Sequence, residues 1–146
     1  MDALVNAQIL EQVAIVVDWI PPSVNHYKEP TTIRTSSGPM KSFKLTGEAK
    51  AFRDVVCIIA RGKTIAPATQ RERDQVRYAL TVTIYLGKGD RLDGDNGWKC
   101  IADSLQKAGV IHSDSRVRRW LLHIEDCDRG NPRTEILAER IERRLK

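Results

Sequence analysis

Residues 75–117 read QVRYALTVTIYLGKGDRLDGDNGWKCIADSLQKAGVIHSDSRV, and this stretch decides the fold. Within it, Gln75–Leu86 alternates apolar and other side chains in steps of two, which predicts a strand with one buried face. Apolar residues then recur at helical spacing, which predicts a helix from about Asp93 or Asp95 to Ala108. After a polar turn, Val117–Glu125 again has strand character. The stretch therefore predicts a strand, a helix and a second strand in succession.

The remainder of the chain predicts further elements of both kinds. They are a strand at Gln12–Ile20 that ends at Pro21-Pro22, a hairpin of Thr31–Arg34 and Lys41–Lys44, a helix from Thr46 to Arg61, a loop at Ile65–Arg73, a strand at Arg133–Leu137, and a short helical tail or frayed end from Glu139. A chain of 146 residues is typical of one domain. We expect a single domain over residues 1–146 with an α+β fold, in which two helices pack on a small mixed β-sheet.

The composition narrows the class of function. Lys and Arg number 24 against 19 Asp and Glu, so the chain is basic with a net charge of +5. No apolar run approaches the roughly 20 residues that cross a bilayer, and the opening residues have an early acid and no basic segment, so we expect a cytoplasmic protein without membrane contact. The three cysteines lack CxxC spacing, which argues against a disulfide framework and against a zinc site.

Acidic residues cluster in the decisive stretch of this basic chain. Asp95, Lys99 and Asp103 are spaced by four residues and would share one face of the predicted helix. Asp93 lies at the strand-to-helix junction, and Asp114 lies in the turn after the helix. If the strand after Asp114 pairs beside the Gln75–Leu86 strand, we expect Asp114 to return to the end of the sheet near Asp93. Three carboxylates would then converge.

Such a cluster suits metal-dependent cleavage of a nucleic acid backbone. A basic surface attracts a polyanion, and carboxylates hold Mg²⁺ against it. Bound magnesium can activate water and neutralise phosphate charge, while Lys99 can stabilise the developing negative charge. The same residues also permit a purely structural interpretation. Asp93 and Asp95 would cap a helix, and Lys99 and Asp103 would form a surface ion pair. Asp114 would be a turn residue.

The decisive stretch resembles the signature of the RusA family of Holliday junction resolvases. That signature runs D-x-D-N, a lysine four residues after the second acid, an Asp four residues later, and then a Gly and an acidic turn. The matching residues here are Asp93, Asp95-Asn96, Lys99, Asp103, Gly109 and Asp114. The segment Pro21-Pro22-Ser23 with Asn25 is similar to the PPS-x-N loop that follows the family's first strand.

The resemblance implies a RusA-like fold and a set of roles. Asp93, Asp95 and Asp114 would bind the catalytic Mg²⁺, for which Mn²⁺ could substitute, and Lys99 would be the catalytic lysine. Asp103 would have a supporting part. Family members often carry paired acids at the turn, where this chain has Ser113 before Asp114.

The resemblance also implies the partners, namely branched double-stranded DNA in the form of a four-way junction and a second copy of the chain. A junction has approximate two-fold symmetry and needs two cuts, so one active site per subunit requires a homodimer. Two alternatives remain open, a less selective Mg²⁺ nuclease that acts on other branched DNA and a branched-DNA-binding module without catalysis.

Four residues are the candidate DNA contacts closest to the motifs. Lys88 and Arg91 flank the acidic stretch, and Asn25 and His26 follow the rigid Pro-Pro turn. Other basic residues read more simply as a solvated charged surface. They are Lys41, Lys44, Lys107, Arg116, Arg118 and Arg119. Trp19, Trp98 and Trp120 fall in strand or helix patterns, so we expect them to pack in the core.

Overall fold

The computed structural model describes residues 9–22, 28–87, 90, 92, 97–126 and 131–142. Six strands and three helices lie in these ranges. In chain order they are β1 (Ile9–Val17), β2 (Lys28–Thr35), β3 (Gly38–Leu45), α1 (Gly47–Ile59), α2 (Gln70–Arg73), β4 (Arg77–Leu86), α3 (Trp98–Lys107), β5 (Val117–Asp126) and β6 (Arg133–Ile141). A one-turn 3-10 helix, Asp114–Arg116, precedes β5. The predicted α+β class is confirmed.

The central sheet has four strands in the order β1-β6-β4-β5. β5 pairs parallel to β4, whereas β6 pairs antiparallel to both β4 and β1, so the sheet is mixed as expected. The predicted hairpin forms a separate two-stranded sheet of β2 and β3. α3 connects the two parallel strands, as a parallel pair requires a crossover segment.

α1 and α3 pack on one face of the sheet and enclose the core. The alternation seen in the sequence of β4 is reproduced, because Tyr78, Leu80, Val82 and Ile84 are all fully buried. They pack with apolar residues from the helices and the outer strands. The largest of these are Phe52, Val56, Ile101, Leu105, Ile15 and Ile111. Trp98 and Trp120 meet edge to face at 4.1 Å between ring centroids, which fixes the start of α3 against β5.

Two ends of the predicted strands are wrong. β1 stops at Val17, because its ladder with β6 ends at the Val17–Thr134 pair. The Thr134 hydroxyl then donates to the Trp19 carbonyl at 2.7 Å, which satisfies the next backbone acceptor outside the ladder. Trp19 is consequently 47% exposed and not a core residue. The helical tail expected from Glu139 is also wrong, since β6 continues to Ile141 opposite Arg77 and Ile9.

Two helix assignments also change. α2 lies within the predicted loop Ile65–Arg73, and its one turn forms because the Thr69 hydroxyl accepts from the Glu72 backbone N–H. α1 begins as predicted after Thr46, whose hydroxyl accepts from the Ala49 N–H. The predicted start of the next helix at Asp93 or Asp95 is wrong, because α3 begins at Trp98.

Gly97 explains where α3 begins. Its φ of +91° is incompatible with a right-handed helix, so no helix can continue through it. A Cβ at this position would lie 2.8 Å from Cγ of Pro21, which is part of a rigid buried ring. The Pro-Pro segment after β1 therefore packs directly against the N-terminus of α3. The two sequence segments that carry the family resemblance adjoin one another at this contact.

The substitution Gly97→Ala should destabilise the fold through both backbone strain and a clash with Pro21. The matched control is Gly62→Ala, because Gly62 also has a positive φ of +76° but a Cβ there would meet no atom within 4 Å. We expect Gly62→Ala to cost about 1 kcal/mol in free energy of unfolding, and Gly97→Ala about 2 to 3 kcal/mol. Urea unfolding of the two variants measures both values. Equal losses would contradict a steric role for Pro21.

Candidate active site

Lys99 lies between two carboxylates on the exposed side of α3. Its Nζ atom is 3.4 Å from Oδ1 of Asp103, one helical turn along, and 3.8 Å from Oδ2 of Asp114 in the 3-10 turn. The expected pairing of Lys99 with Asp103 on one helix face is therefore present. Asp114 is 15 positions away from Lys99 in the sequence, so their contact is a product of the tertiary fold. Two of the four predicted catalytic residues thus lie together.

The direction of β5 determines how Asp114 reaches this site. Because β5 is parallel to β4, its first residue Val117 lies beside Tyr78 at the start of β4. Asp114 therefore lies toward the end of the sheet at which β4 begins, the end away from Leu86. Asp93 lies outside the described residues, so the expected closeness of Asp114 to Asp93 stays a prediction. Asp114 approaches Lys99 because α3 runs back along the sheet and the Lys99 side chain extends along the helix axis.

Hydrogen bonds hold the turn that carries Asp114. The Gln106 side-chain oxygen accepts from the Asp114 backbone N–H at 3.0 Å. The Ser113 hydroxyl accepts from the Ser115 N–H, which caps the 3-10 turn. On the other side, the Arg116 Nε donates to the Val76 carbonyl at 2.9 Å. The carboxylate of Asp114 is thus presented by a backbone that is tied to both α3 and the start of β4.

The segment before this turn is fixed by a neutral hydrogen-bonded pair. The Tyr78 hydroxyl and Nδ1 of His112 are 2.7 Å apart. Burial raises the pKa of the Tyr78 hydroxyl, although its bond to His112 partly opposes the effect. Burial and the charges of Arg73 and Arg116 lower the pKa of His112. Both shifts favour uncharged forms at neutral pH, so His112 acts here as a structural partner of Tyr78.

Cys100 is excluded as a nucleophile in this site. Burial raises the pKa of its thiol to about 12, with a small opposing effect of the Ser104 hydroxyl. The thiolate is the reactive form of cysteine, and it is essentially absent at neutral pH under these conditions. Cys100 therefore contributes packing beneath the polar face of α3.

Several predicted site residues lie outside the described residues. They are Asp93, Asp95, Asn25, His26, Lys88 and Arg91. Asp90 and Leu92, on either side of Arg91, are described. The Asp90 carboxylate accepts from the Gly87 N–H at 2.7 Å, and Leu92 packs against the core. Roles for the six stay predictions.

The donor chemistry near Lys99 fits a hard divalent cation. Asp114 and Asp103 supply carboxylate oxygens, the ligand type that Mg²⁺ prefers, and Mg²⁺ usually keeps several waters and few protein ligands. Over the described ranges alone, no three His, Cys, Asp or Glu side chains are close enough to hold a metal ion. The two further predicted ligands, Asp93 and Asp95, lie outside the described residues.

Gln106 is a site residue that the sequence analysis missed. It lies seven positions after Lys99 and three after Asp103, so all three share one face of α3. That spacing was a usable signal, but an exposed glutamine is common on helices and its bond to Asp114 depends on the tertiary fold. Gln106 positions the backbone of the predicted metal ligand.

Comparison with known proteins finds a family match over most of the chain. A family model described as Endodeoxyribonuclease RusA matches residues 6–139. No curated protein matches the chain. No helix within the described part of the chain is long and apolar enough to cross a membrane.

Proposed function

Because the chain belongs to the RusA endodeoxyribonuclease family, we propose that it is a Mg²⁺-dependent, structure-specific endonuclease that resolves four-way DNA junctions. The observation that carries this proposal is the contact between Lys99 and Asp114, which joins two distant members of the family signature. If Asp114 were only a turn residue and Lys99 only a surface residue, their contact would have no explanation. A nuclease site explains the contact, because it needs a positively charged side chain beside the acids that bind its metal ion.

The chain's own residues divide the work of phosphodiester hydrolysis. Asp114, with Asp93 and Asp95, would hold magnesium, which when bound activates water and neutralises phosphate charge. The Lys99 ammonium would stabilise the negative charge that develops on the phosphate and leaving oxygen. Asp103 and Asp114 attract that ammonium weakly in the DNA-free protein, so it lies near the site and can still turn to a phosphate. Gln106 fixes the backbone of Asp114, so that its carboxylate needs little reordering.

DNA would be attracted by the net charge of +5 and held by basic and polar groups near the acids. Asn25, His26, Lys88 and Arg91 remain the proposed contacts to the junction. The second candidate function is a branched-DNA-binding module without catalysis. The exposed Lys99–Asp103 ion pair favours it in part, since an i,i+4 surface pair needs no catalytic explanation.

A cleavage assay on a synthetic four-way junction distinguishes these functions. We expect the protein to introduce paired nicks in Mg²⁺ or Mn²⁺ and none in EDTA, because the carboxylates act through a bound cation. The variant Asp95→Asn should retain junction binding and lose cleavage. Metal-independent binding with no nicking of any branched substrate would instead favour the module. Nicking of flaps and forks at rates equal to junctions would favour the less selective nuclease.

The substitution Lys99→Met should separate turnover from affinity. Removing the ammonium eliminates a group that acts on the transition state, so we expect single-turnover cleavage to fall on the order of 100-fold with nearly unchanged junction affinity. The same change should tighten Mn²⁺ binding to the DNA-free protein, because a positive charge 3.8 Å from Asp114 opposes a cation there.

Paramagnetic titration of Mn²⁺ measures the second effect, and Lys63→Met, an exposed lysine in the turn after α1, is the control. Equal losses of turnover and junction affinity would assign Lys99 to DNA binding. Unchanged Mn²⁺ affinity would remove Asp114 from the metal ligands.

The proposed homodimer would form through the sheet face that α1 and α3 leave uncovered. Val16 and Leu121 are 51% and 36% exposed on that face, and the sheet register places Leu137 between them. β6 contributes the acids Glu135 and Glu139 to the same face, while β5 contributes Arg119 and His123. A two-fold axis in the plane of this face, parallel to β4, would lay β6 of one copy over β5 of the other and so set acids of one copy against bases of the other. This self-complementary charge pattern favours a second copy of the chain.

The substitution Leu121→Glu should convert the dimer to a monomer, because it places a charge at the apolar centre of the interface. Ile58→Glu is the matched control, since Ile58 is 74% exposed on α1, away from the sheet face. Sedimentation equilibrium measures the mass of each variant. A dimer that survives Leu121→Glu, or dissociates equally in both variants, would contradict this interface.

A further inference from the structure

A cleft separates the β2–β3 hairpin from the helices and adjoins the candidate active site. Its volume is about 540 Å³, and its walls include Lys28, Phe43, Arg53, Asp103, Gln106 and Lys107. Small-molecule and nucleotide sites commonly occupy clefts of roughly 300–1,000 Å³. We name this feature the hairpin cleft.

The hairpin cleft shares two residues with the candidate site. Asp103 lines it and pairs with Lys99, and Gln106 lines it and accepts from the Asp114 backbone N–H. A ligand in the cleft would therefore lie beside the residues proposed to act on the scissile phosphate. The other residues that line the cleft indicate the chemical class of this ligand.

Those walls favour an anion. Lys28, Arg53 and Lys107 contribute three positive charges against the single carboxylate of Asp103. The Nε atom of Arg53 is buried and has no hydrogen-bond partner among the described residues. The Asp54 carboxylate is 4.0 Å away, too far for a hydrogen bond. A buried donor without an acceptor is costly. The Arg53 side chain as a whole is 28% exposed, so its guanidinium can contact a phosphate in the cleft, and a small reorientation toward that phosphate would pair the Nε.

The hairpin adds an exposed aromatic ring to this basic cleft. Phe43 is 69% exposed, whereas Trp19, the other exposed aromatic side chain among the described residues, is 47% exposed. Phe43 pairs with Pro30 in the ladder, on the same face of the hairpin as Lys28 and Lys41. A phenyl ring among basic side chains is the arrangement that binds nucleotides, because bases stack on the ring while cations contact phosphates.

We propose that the hairpin cleft binds an unstacked nucleotide at the branch point of the DNA substrate, with Phe43 stacking on its base and Lys28, Arg53 and Lys107 contacting the adjoining phosphates. The proposal rests on the proposed junction function and names a determinant of its selectivity. In an intact duplex both faces of each base are covered by neighbouring bases, so no base is free to stack on Phe43. At a branch point, bases can be drawn out of the stack at low cost.

Binding measured in EDTA tests the proposal without cleavage. Phe43→Ala should weaken binding to a four-way junction about tenfold, in keeping with the energy of one stacked base, and leave binding to intact duplex unchanged. Phe43→Trp should restore junction binding. Met40→Ala is the matched control, since Met40 is 52% exposed on the opposite face of the same hairpin and should have no effect.

Abasic substitution at each branch nucleotide identifies the stacked base. At the contacted position, the loss caused by the abasic site in the wild-type protein should disappear in Phe43→Ala, because both changes remove the same interaction. Lys107→Gln should lower the slope of log affinity against log salt by about 1, on junction and duplex alike, whereas Lys63→Gln should not.

Equal weakening of junction and duplex by Phe43→Ala, or additive losses at every abasic position, would overturn the stacking proposal. Cleavage by the wild-type protein in Mg²⁺, measured in parallel, tests the proposed function separately. If the protein binds junctions through Phe43 but never cuts them, the stacking proposal stands and the proposed nuclease function is contradicted. If the protein shows no preference for junctions over duplex, both proposals are contradicted.

Discussion

The parallel pairing of β4 with β5 is the constraint on which the site depends. Two parallel neighbours cannot be joined by a tight turn, so the chain must return along the sheet, and α3 makes that return. The start of α3 and the start of β5 consequently lie toward opposite ends of the sheet. Lys99 and Asp114 meet only because a long side chain reaches along the helix from one toward the other. The contact between Lys99 and Asp114 is therefore a consequence of sheet topology.

The ion pairs around Lys99 contribute little to folding. Its side chain is 55% exposed, and exposed ion pairs are generally worth about 0 to 1 kcal/mol. The core beneath is apolar and is closed by Tyr78, Phe52 and Leu105 without help from these charges. The stability of the domain and the chemistry of its surface are thus carried by different residues. Because the ion pairs of Lys99 are weak, its ammonium can still bind a phosphate and its carboxylate partners can still bind a cation.

Local patterns predicted the elements well where one physical signal dominated. Thr46 marked the start of α1, and strict alternation marked β4. The start of α3 was misjudged because Gly97 could belong either to the helix or to the turn before it, and only its contact with Pro21 decides. For the site, the four-residue spacing predicted that Lys99 and Asp103 share a helix face, whereas the placement of Asp93 and Asp95 stays a prediction. The sheet end at which Asp114 lies was not fixed by the sequence, because the strand direction was left unassigned. Gln106 was missed because its role depends on a distant backbone group.

The position of β6 has a consequence for how this chain acquires its structure. β6 lies between β1 and β4, and its register joins Ile9 to Ile141 across nearly the whole sequence. During synthesis, β1 emerges first and has no neighbour until the segment at 133–141 leaves the ribosome. Closing so long a loop delays sheet completion and lowers the folding rate. In the interval an apolar edge is open to other nascent chains, which makes prompt chaperone capture of the early strand advantageous.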